Sequence, residues 1–157
     1  MLAPIITGIL LSLIMIGISL RKPNTGRIIL GIFFLVMAIG VNGTFTLFNP
    51  QSYVEYSQGA LLSIYRELGT NIISLNPVVF GLLLIGYEIT ISFLMLYKGK
   101  FVKAGMIGSI LFLIAIAPVS LIQIAWLGLA ITPAYLSTKN FETSFWEIMR
   151  SKFSKEK

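Results

Sequence analysis

The sequence predicts an all-α membrane protein: a four-helix transmembrane bundle with an amphipathic helix between spans 2 and 3 and an amphipathic C-terminal tail. Three observations carry this reading. Of 157 residues, 56% are hydrophobic and only 11% charged, against about 25% charged in soluble domains, and the mean hydropathy is +0.89. Four uncharged runs approach or exceed the roughly 20 residues that cross about 30 Å of hydrocarbon. The basic residues gather in two short loops and the tail. This composition excludes disorder and leaves room for one domain. With no cysteine and no histidine, it also excludes disulfides, thiol redox chemistry, zinc sites of the usual ligands and histidine-based acid–base catalysis.

Residues 1–136 are read as the bundle. The first span, about 3–20, has Thr7, Ser12 and Ser19 as its only polar side chains, and Arg21 and Lys22 follow rather than precede it, the pattern of a retained anchor and not of a leader. The second, about 28–48, carries Asn42, Thr44 and Thr46; the third, about 78–97, carries Glu88, Thr90 and Ser92. No charge falls between Lys103 and Lys139, and a straight helix over that stretch would measure about 50 Å. Pro118 can kink it and Pro133 can stop it. The fourth span is therefore read as one kinked helix over about 104–128 with an interfacial exit; a re-entrant pair of half-helices broken at Pro118 competes with it.

Basic residues set the expected orientation. Arg21, Lys22 and Arg27 lie between spans 1 and 2, and Lys98, Lys100 and Lys103 between spans 3 and 4, against Arg66 alone in the middle loop. The loops 21–27 and 98–103 are expected to be cytoplasmic in a multi-pass cell-membrane protein, and the loop 49–77 and the amino terminus outside. Four spans would then place the basic tail outside, against the same rule. The net charge of +6 is accounted for by membrane insertion and anionic head groups, so the bilayer is the expected partner and nucleic acid is not.

Two segments are amphipathic. Over about 52–74, Tyr53, Ala60, Leu61, Ile64, Leu68 and Ile72 recur at helical spacing between the turn-forming pairs Asn49-Pro50 and Asn76-Pro77, predicting a helix that lies flat. It is either a surface connector or a lid over the bundle mouth made by Tyr53, Leu61, Ile64, Arg66 and Leu68. In the tail, 137–157, Phe141, Phe145, Met149 and Phe153 recur every fourth residue with Trp146 beside them, a face suited to anchoring at the membrane surface. Gly40, Gly43, Ala104, Gly105, Gly108 and Ser109 offer small surfaces for helix packing.

Glu88 lies near the middle of the third span. A carboxylate at that depth costs roughly several kcal/mol, and no Lys or Arg occurs in any span to neutralise it. Desolvation favours the neutral acid, so Glu88 is expected to be protonated, to face a wet cavity, or to meet an arginine from the lid. Depth places Asn42 about 9 Å and Glu88 about 15 Å below the outer boundary, within reach of each other. Tyr87, Thr90 and Gln123, with Thr44 and Ser120, can add donors and acceptors. Glu88 is then either a ligand or proton site, or an interhelical pin worth about 0.6 to 2 kcal/mol.

Arg27-Ile-Ile-Leu-Gly31-Ile-Phe-Phe, the later Gly40 and Gly43, Asn49-Pro50 before an amphipathic stretch, and Gly86-Tyr-Glu88 inside the next span resemble the DoxX/DoxD-like membrane proteins over roughly Gly26 to Pro118. The resemblance implies a four-helix membrane bundle, with some members associated with quinone-linked oxidoreductase complexes or with assembly of other membrane proteins. It matches Glu88 to the family's glutamate and Arg27 to its leading arginine; the extra amino-terminal span and the lack of a separate final one depart from the pattern.

Three readings follow. The first is binding of a quinone-like or lipid molecule in an outer-facing pocket at Glu88 and Asn42, within a membrane oxidoreductase-type complex whose partner carries the redox cofactor. The second is a non-catalytic accessory or assembly subunit, alone or as a homodimer or with a membrane protein partner. The third is a proton-coupled carrier. No paired acids and no phosphate loop are present, so catalysis by this chain alone, a cofactor of its own and a metal site are not expected.

Overall fold

Uncharged runs of branched and unbranched aliphatic residues satisfy their backbone groups internally as helices, the only open-ended structure that hydrocarbon tolerates. The computed structural model describes residues 2–155, and among them the regular structure is helical throughout. Four helices are long and apolar enough to cross a membrane: α1 (Leu2–Arg21), α2 (Pro23–Phe48), and, after two short helices α3 (Gln51–Gln58) and α4 (Ser63–Asn71), α5 (Pro77–Leu96) and α6 (Lys100–Val119). A shorter apolar helix α7 (Leu121–Ser137) and a tail helix α8 (Phe145–Lys155) follow. Pro23 and Pro77 start α2 and α5 at positions whose N–H has no helical partner. Gly99, at φ +62, makes the turn between α5 and α6.

Polar and small side chains lie inside beside an apolar core that includes Leu30, Phe34, Met95 and Met106, and many aliphatic side chains lie outside. Ser12, Ser19, Arg27, Asn42, Glu88, Ser92, Ser109 and Thr132 are buried, while Ile6, Leu10, Leu13, Leu83, Ile107 and Leu111 are exposed. Hydrocarbon gives apolar side chains no reason to hide, so close packing and interhelical hydrogen bonds hold such a bundle. A Cβ at Gly105 would lie 2.8 Å from the Met95 backbone nitrogen, and one at Gly108 2.8 Å from Ile91, so α5 and α6 approach through those glycines. The buried Ser92 hydroxyl donates to the Gly31 carbonyl at 2.7 Å, joining α5 to α2. Gly40 and Gly43 do not serve as predicted: a Cβ at either would meet only its own helix. Gly40 lies within a π-helical turn, Met37–Asn42, and Gly43 follows it. Ala104 is likewise exposed.

The expected single kinked span over 104–128 gives way to a reversal. Ser120 is fully extended (φ −165, ψ 164), and its hydroxyl caps the next helix by accepting from the Gln123 N–H. The chain then runs back along α6 and in the direction of α1: Gly8 abuts Trp126, and Gly128 abuts Ser12. The Gly99 N–H donates to the Phe141 carbonyl at 2.7 Å, so α7 ends where α6 began. This is neither the kinked span nor a pair of half-helices: α6 is itself long enough to cross, and the break falls at Ser120.

The flat helix over 52–74 is likewise two helices. Gly59 ends α3 and Leu62 is extended, which lets the Leu61 N–H donate to the Pro118 carbonyl at 2.9 Å and the Tyr65 hydroxyl to the Ala115 carbonyl at 2.7 Å. Bonding to the α6 terminus outweighs continued helix.

Candidate functional site

Glu88 and Asn42 meet. The Asn42 Nδ2 donates to Glu88 Oε2 at 2.6 Å, and the two side chains are 1% and 8% exposed. The π turn that ends at Asn42 inserts an extra residue into α2, a distortion that re-aims side chains and recurs at functional sites. The Asn42 carbonyl in turn accepts from the Thr46 hydroxyl at 2.7 Å and from the Tyr53 hydroxyl at 2.9 Å, and those two hydroxyls are 2.9 Å apart. Gly81 makes room for both, since a Cβ there would strike Thr46 and Tyr53. Burial raises the Tyr53 phenol above its ordinary value, which keeps it a neutral donor.

On its other side Glu88 borders a cavity of about 200 Å³, lined by Pro4, Phe33, Phe34, Met37, Phe112, Leu113, Ile116, Ile122, Gln123 and Trp126. The walls are aromatic: Phe33 stacks on Trp126 at 6.0 Å, and Phe34 meets Phe112 edge-on at 5.8 Å. Glu88 accepts one side-chain hydrogen bond, at Oε2, and the Gln123 amide side chain has no protein partner among the described residues. No cation faces the acid; among the described residues Lys98–Glu147 is the one ion pair. No cluster of three metal-ligating side chains occurs among them either.

The other predicted site residues disperse. Tyr87 is 40% exposed and donates to the Gly108 carbonyl at 2.9 Å, while its ring stacks on Phe112 behind the cavity wall. Thr90 is exposed and bonds back to the Gly86 carbonyl, and Thr44 does the same to Gly40. Of the lid, only Tyr53 reaches the site. Leu61, Ile64 and Leu68 are exposed, and Arg66 donates to the Ala60 carbonyl at 2.6 Å rather than to Glu88. The stripe is thus split: Tyr53 and Ala60 are buried, while Leu61, Ile64 and Leu68 are exposed.

The tail also differs. Phe141 is buried, 4.8 Å beneath the Arg27 guanidinium, and is no surface anchor. Phe145 and Met149 are half-buried, Trp146 is exposed, and the Phe153 side chain lies outside the described residues. Arg27 itself is fully buried, donating to the Tyr97 carbonyl at 2.7 Å and the Thr143 carbonyl at 3.0 Å. It ties α2, α5 and the segment after α7 together, a role hidden by counting it as a loop charge. A capping box starts α8: the Ser144 N–H donates to Glu147 Oε2 at 2.7 Å and the Glu147 N–H to the Ser144 hydroxyl at 3.2 Å. The Lys98 ammonium, pairing with Glu147, holds that carboxyl well below the usual range at about 2, with help from the Ser144 N–H, and is itself raised in return. The signal, Ser144 three residues before Glu147, was present in the sequence; the aromatic cavity wall and the π turn carried none.

Comparison with known families, curated proteins and solved structures returns no match.

Proposed function

We propose that this chain is a multi-pass membrane protein that binds the ring-sized head group of a lipophilic molecule, quinone-like or lipid, in the cavity at Glu88. The observation that carries the reading is a buried carboxyl, in no ion pair among the described residues, on the wall of an aromatic cavity of about 200 Å³ with the Gln123 amide beside it. Apolar cavities of about 150 Å³ accept a benzene-sized ring, and a few convergent polar groups on an apolar wall are the ordinary anatomy of a ligand site. Glu88 and Gln123 fix the head group by hydrogen bonds while a tail extends between helices. With neither cysteine nor histidine, the chain holds the ligand and a partner supplies redox chemistry, consistent with a place in a membrane oxidoreductase-type complex as the DoxX-like resemblance implies.

In this reading α7 is a fifth crossing. Arg21, Lys22, Arg27, Lys98, Lys100, Lys103, Lys139 and Arg150 then share one side, the cytoplasmic one, against Arg66 on the other, and the conflict over the basic tail disappears. The loop 49–77 and the cavity end of the bundle face outward. Photo-crosslinking of purified protein with an azido-quinone tests the function: labelling is expected within 33–37, 112–116 or 122–126 and to fall at least about fivefold in Glu88→Gln. Labelling that is indifferent to Glu88 overturns it.

A second reading rests on the 2.6 Å Asn42–Glu88 bond: an accessory subunit in which the acid only pins α2 to α5. It predicts that Glu88→Gln, which retains a hydrogen-bonding amide, changes neither ligand content nor partner association.

A further inference from the structure

The largest cavity among those described lies at the other face of the α3 helix, where it meets the α6–α7 turn. It measures about 380 Å³ and is lined by Ser52, Glu55, Tyr56, Gly59, Val119 and Ser120, a volume within the range of small-molecule sites. The lining side chains carry oxygen as their only polar element: two hydroxyls, a phenol and a carboxylate. Ser52 is 7% exposed and, among the described residues, its hydroxyl has no hydrogen-bond partner. The Ser120 hydroxyl accepts from the Gln123 N–H and keeps a second lone pair. Glu55 is exposed and unpaired among the described residues. Arg66, on the neighbouring α4 helix, is engaged by the Ala60 and Leu61 carbonyls and does not line the space.

We propose that this cavity binds a primary ammonium group, with the Glu55 carboxylate as counter-ion, the Ser52 and Ser120 oxygens as acceptors and the Tyr56 ring against the cation. An ammonium carries three donors and no acceptor, the complement of a pocket of oxygens, and an aromatic face adds cation–π attraction. A divalent metal is disfavoured by chemistry, since calcium takes six to eight oxygens, with carboxylates prominent, and this pocket supplies a single carboxylate. The α6–α7 turn that lines the cavity leads into the exposed Leu121, so the ammonium comes either from a free amine or from an ethanolamine lipid head group. The proposal does not rest on the Glu88 site, since none of the six lining residues lines the cavity at Glu88.

The full chain in nanodiscs tests it. Saturation-transfer NMR with ethanolamine reports the free-amine source. Co-purification and displacement of phosphatidylethanolamine, with phosphatidylglycerol nanodiscs as reference, report the lipid source. Binding by either probe is expected to weaken at least about tenfold in Glu55→Gln, the effect of losing one charge-assisted contact, and less in Ser52→Ala, with Glu88→Gln unchanged. Glu55 is exposed, so its amide variant retains the fold, which circular dichroism verifies. Absence of binding by both probes, or equal binding by Glu55→Gln, overturns the proposal.

Discussion

Replacing Arg27 with alanine removes a guanidinium that touches three parts of the chain. Two partly buried carbonyls, those of Tyr97 and Thr143, lose their donor, and a hydrogen bond to a charged group is worth about 1.5–3 kcal/mol. The stacking on Phe141 at 4.8 Å adds about 0.5–2 kcal/mol. The loss is therefore on the order of 3 to 8 kcal/mol, and it falls on the docking of residues 138–155 rather than on the bundle, because α1, α2, α5 and α6 keep their packing. Limited proteolysis of the detergent-solubilised protein reads this directly: cleavage after Lys139 accelerates by roughly a hundredfold or more, the factor that 3 kcal/mol represents, while the transmembrane core stays resistant. Arg27→Lys, which supplies one compact ammonium in place of a planar fork, gives an intermediate rate. If Arg27→Ala leaves Lys139 protected, the three-way tie is not what holds the tail, and the account of why α7 ends where it does is wrong.

Three other outcomes are expected. The Glu147 carboxyl is held low by Lys98, so its contribution to tail docking is complete above the ordinary carboxyl value of 4.5 and disappears as pH falls towards about 2; the raised Lys98 keeps its share until the solution is more alkaline than its ordinary 10.5. Trp146 fluorescence in a Trp126→Phe background should be flat between those limits and change on the acid side, and Glu147→Gln should abolish that change. Gly105→Val should destabilise the protein by about 1–3 kcal/mol through overpacking, because its Cβ meets Met95 backbone, whereas Gly86→Ala, with nothing within 4 Å, should leave the thermal midpoint where it is. Tyr53→Phe removes the hydroxyl that bridges Asn42 and Thr46, and should speed hydrogen exchange in 51–58 by about fivefold to tenfold, the measure of about 1 kcal/mol.

Much of the bundle was legible because hydrocarbon imposes a strict rule: uncharged length marks a crossing, and the first three long helices start and stop within about five residues of where charge and proline put them, while the fourth ends nine residues early, at Val119 instead of 128. The Asn42–Glu88 contact was also legible, since depth alone placed the two polar side chains within reach of each other on neighbouring helices. The reversal at Ser120 was not. A one-residue turn needs no polar loop, so the run from Ala104 to Thr138 carries no internal charge to mark it, and only the proline hints at a break. Nor was the fate of Arg27 readable, because a basic residue at a span boundary has the same sequence signature whether it faces water or, as here, spends its donors on carbonyls. The split of α3 from α4 depends on a hydrogen bond from Leu61 to a carbonyl 57 positions away, which no local pattern encodes. The cavity wall draws on Phe33, Phe112 and Trp126 from three helices, a convergence set by crossing geometry alone.

The central claim is that the space beside Glu88 holds a ligand. An experimental density map of the wild-type protein purified in mild detergent tests it most directly. The account predicts planar density between Phe33, Phe112 and Trp126 within hydrogen-bonding distance of the Glu88 carboxyl, lost in Glu88→Gln. An empty or collapsed cavity in both proteins, with the Asn42 bond as the carboxyl's sole contact, would contradict it.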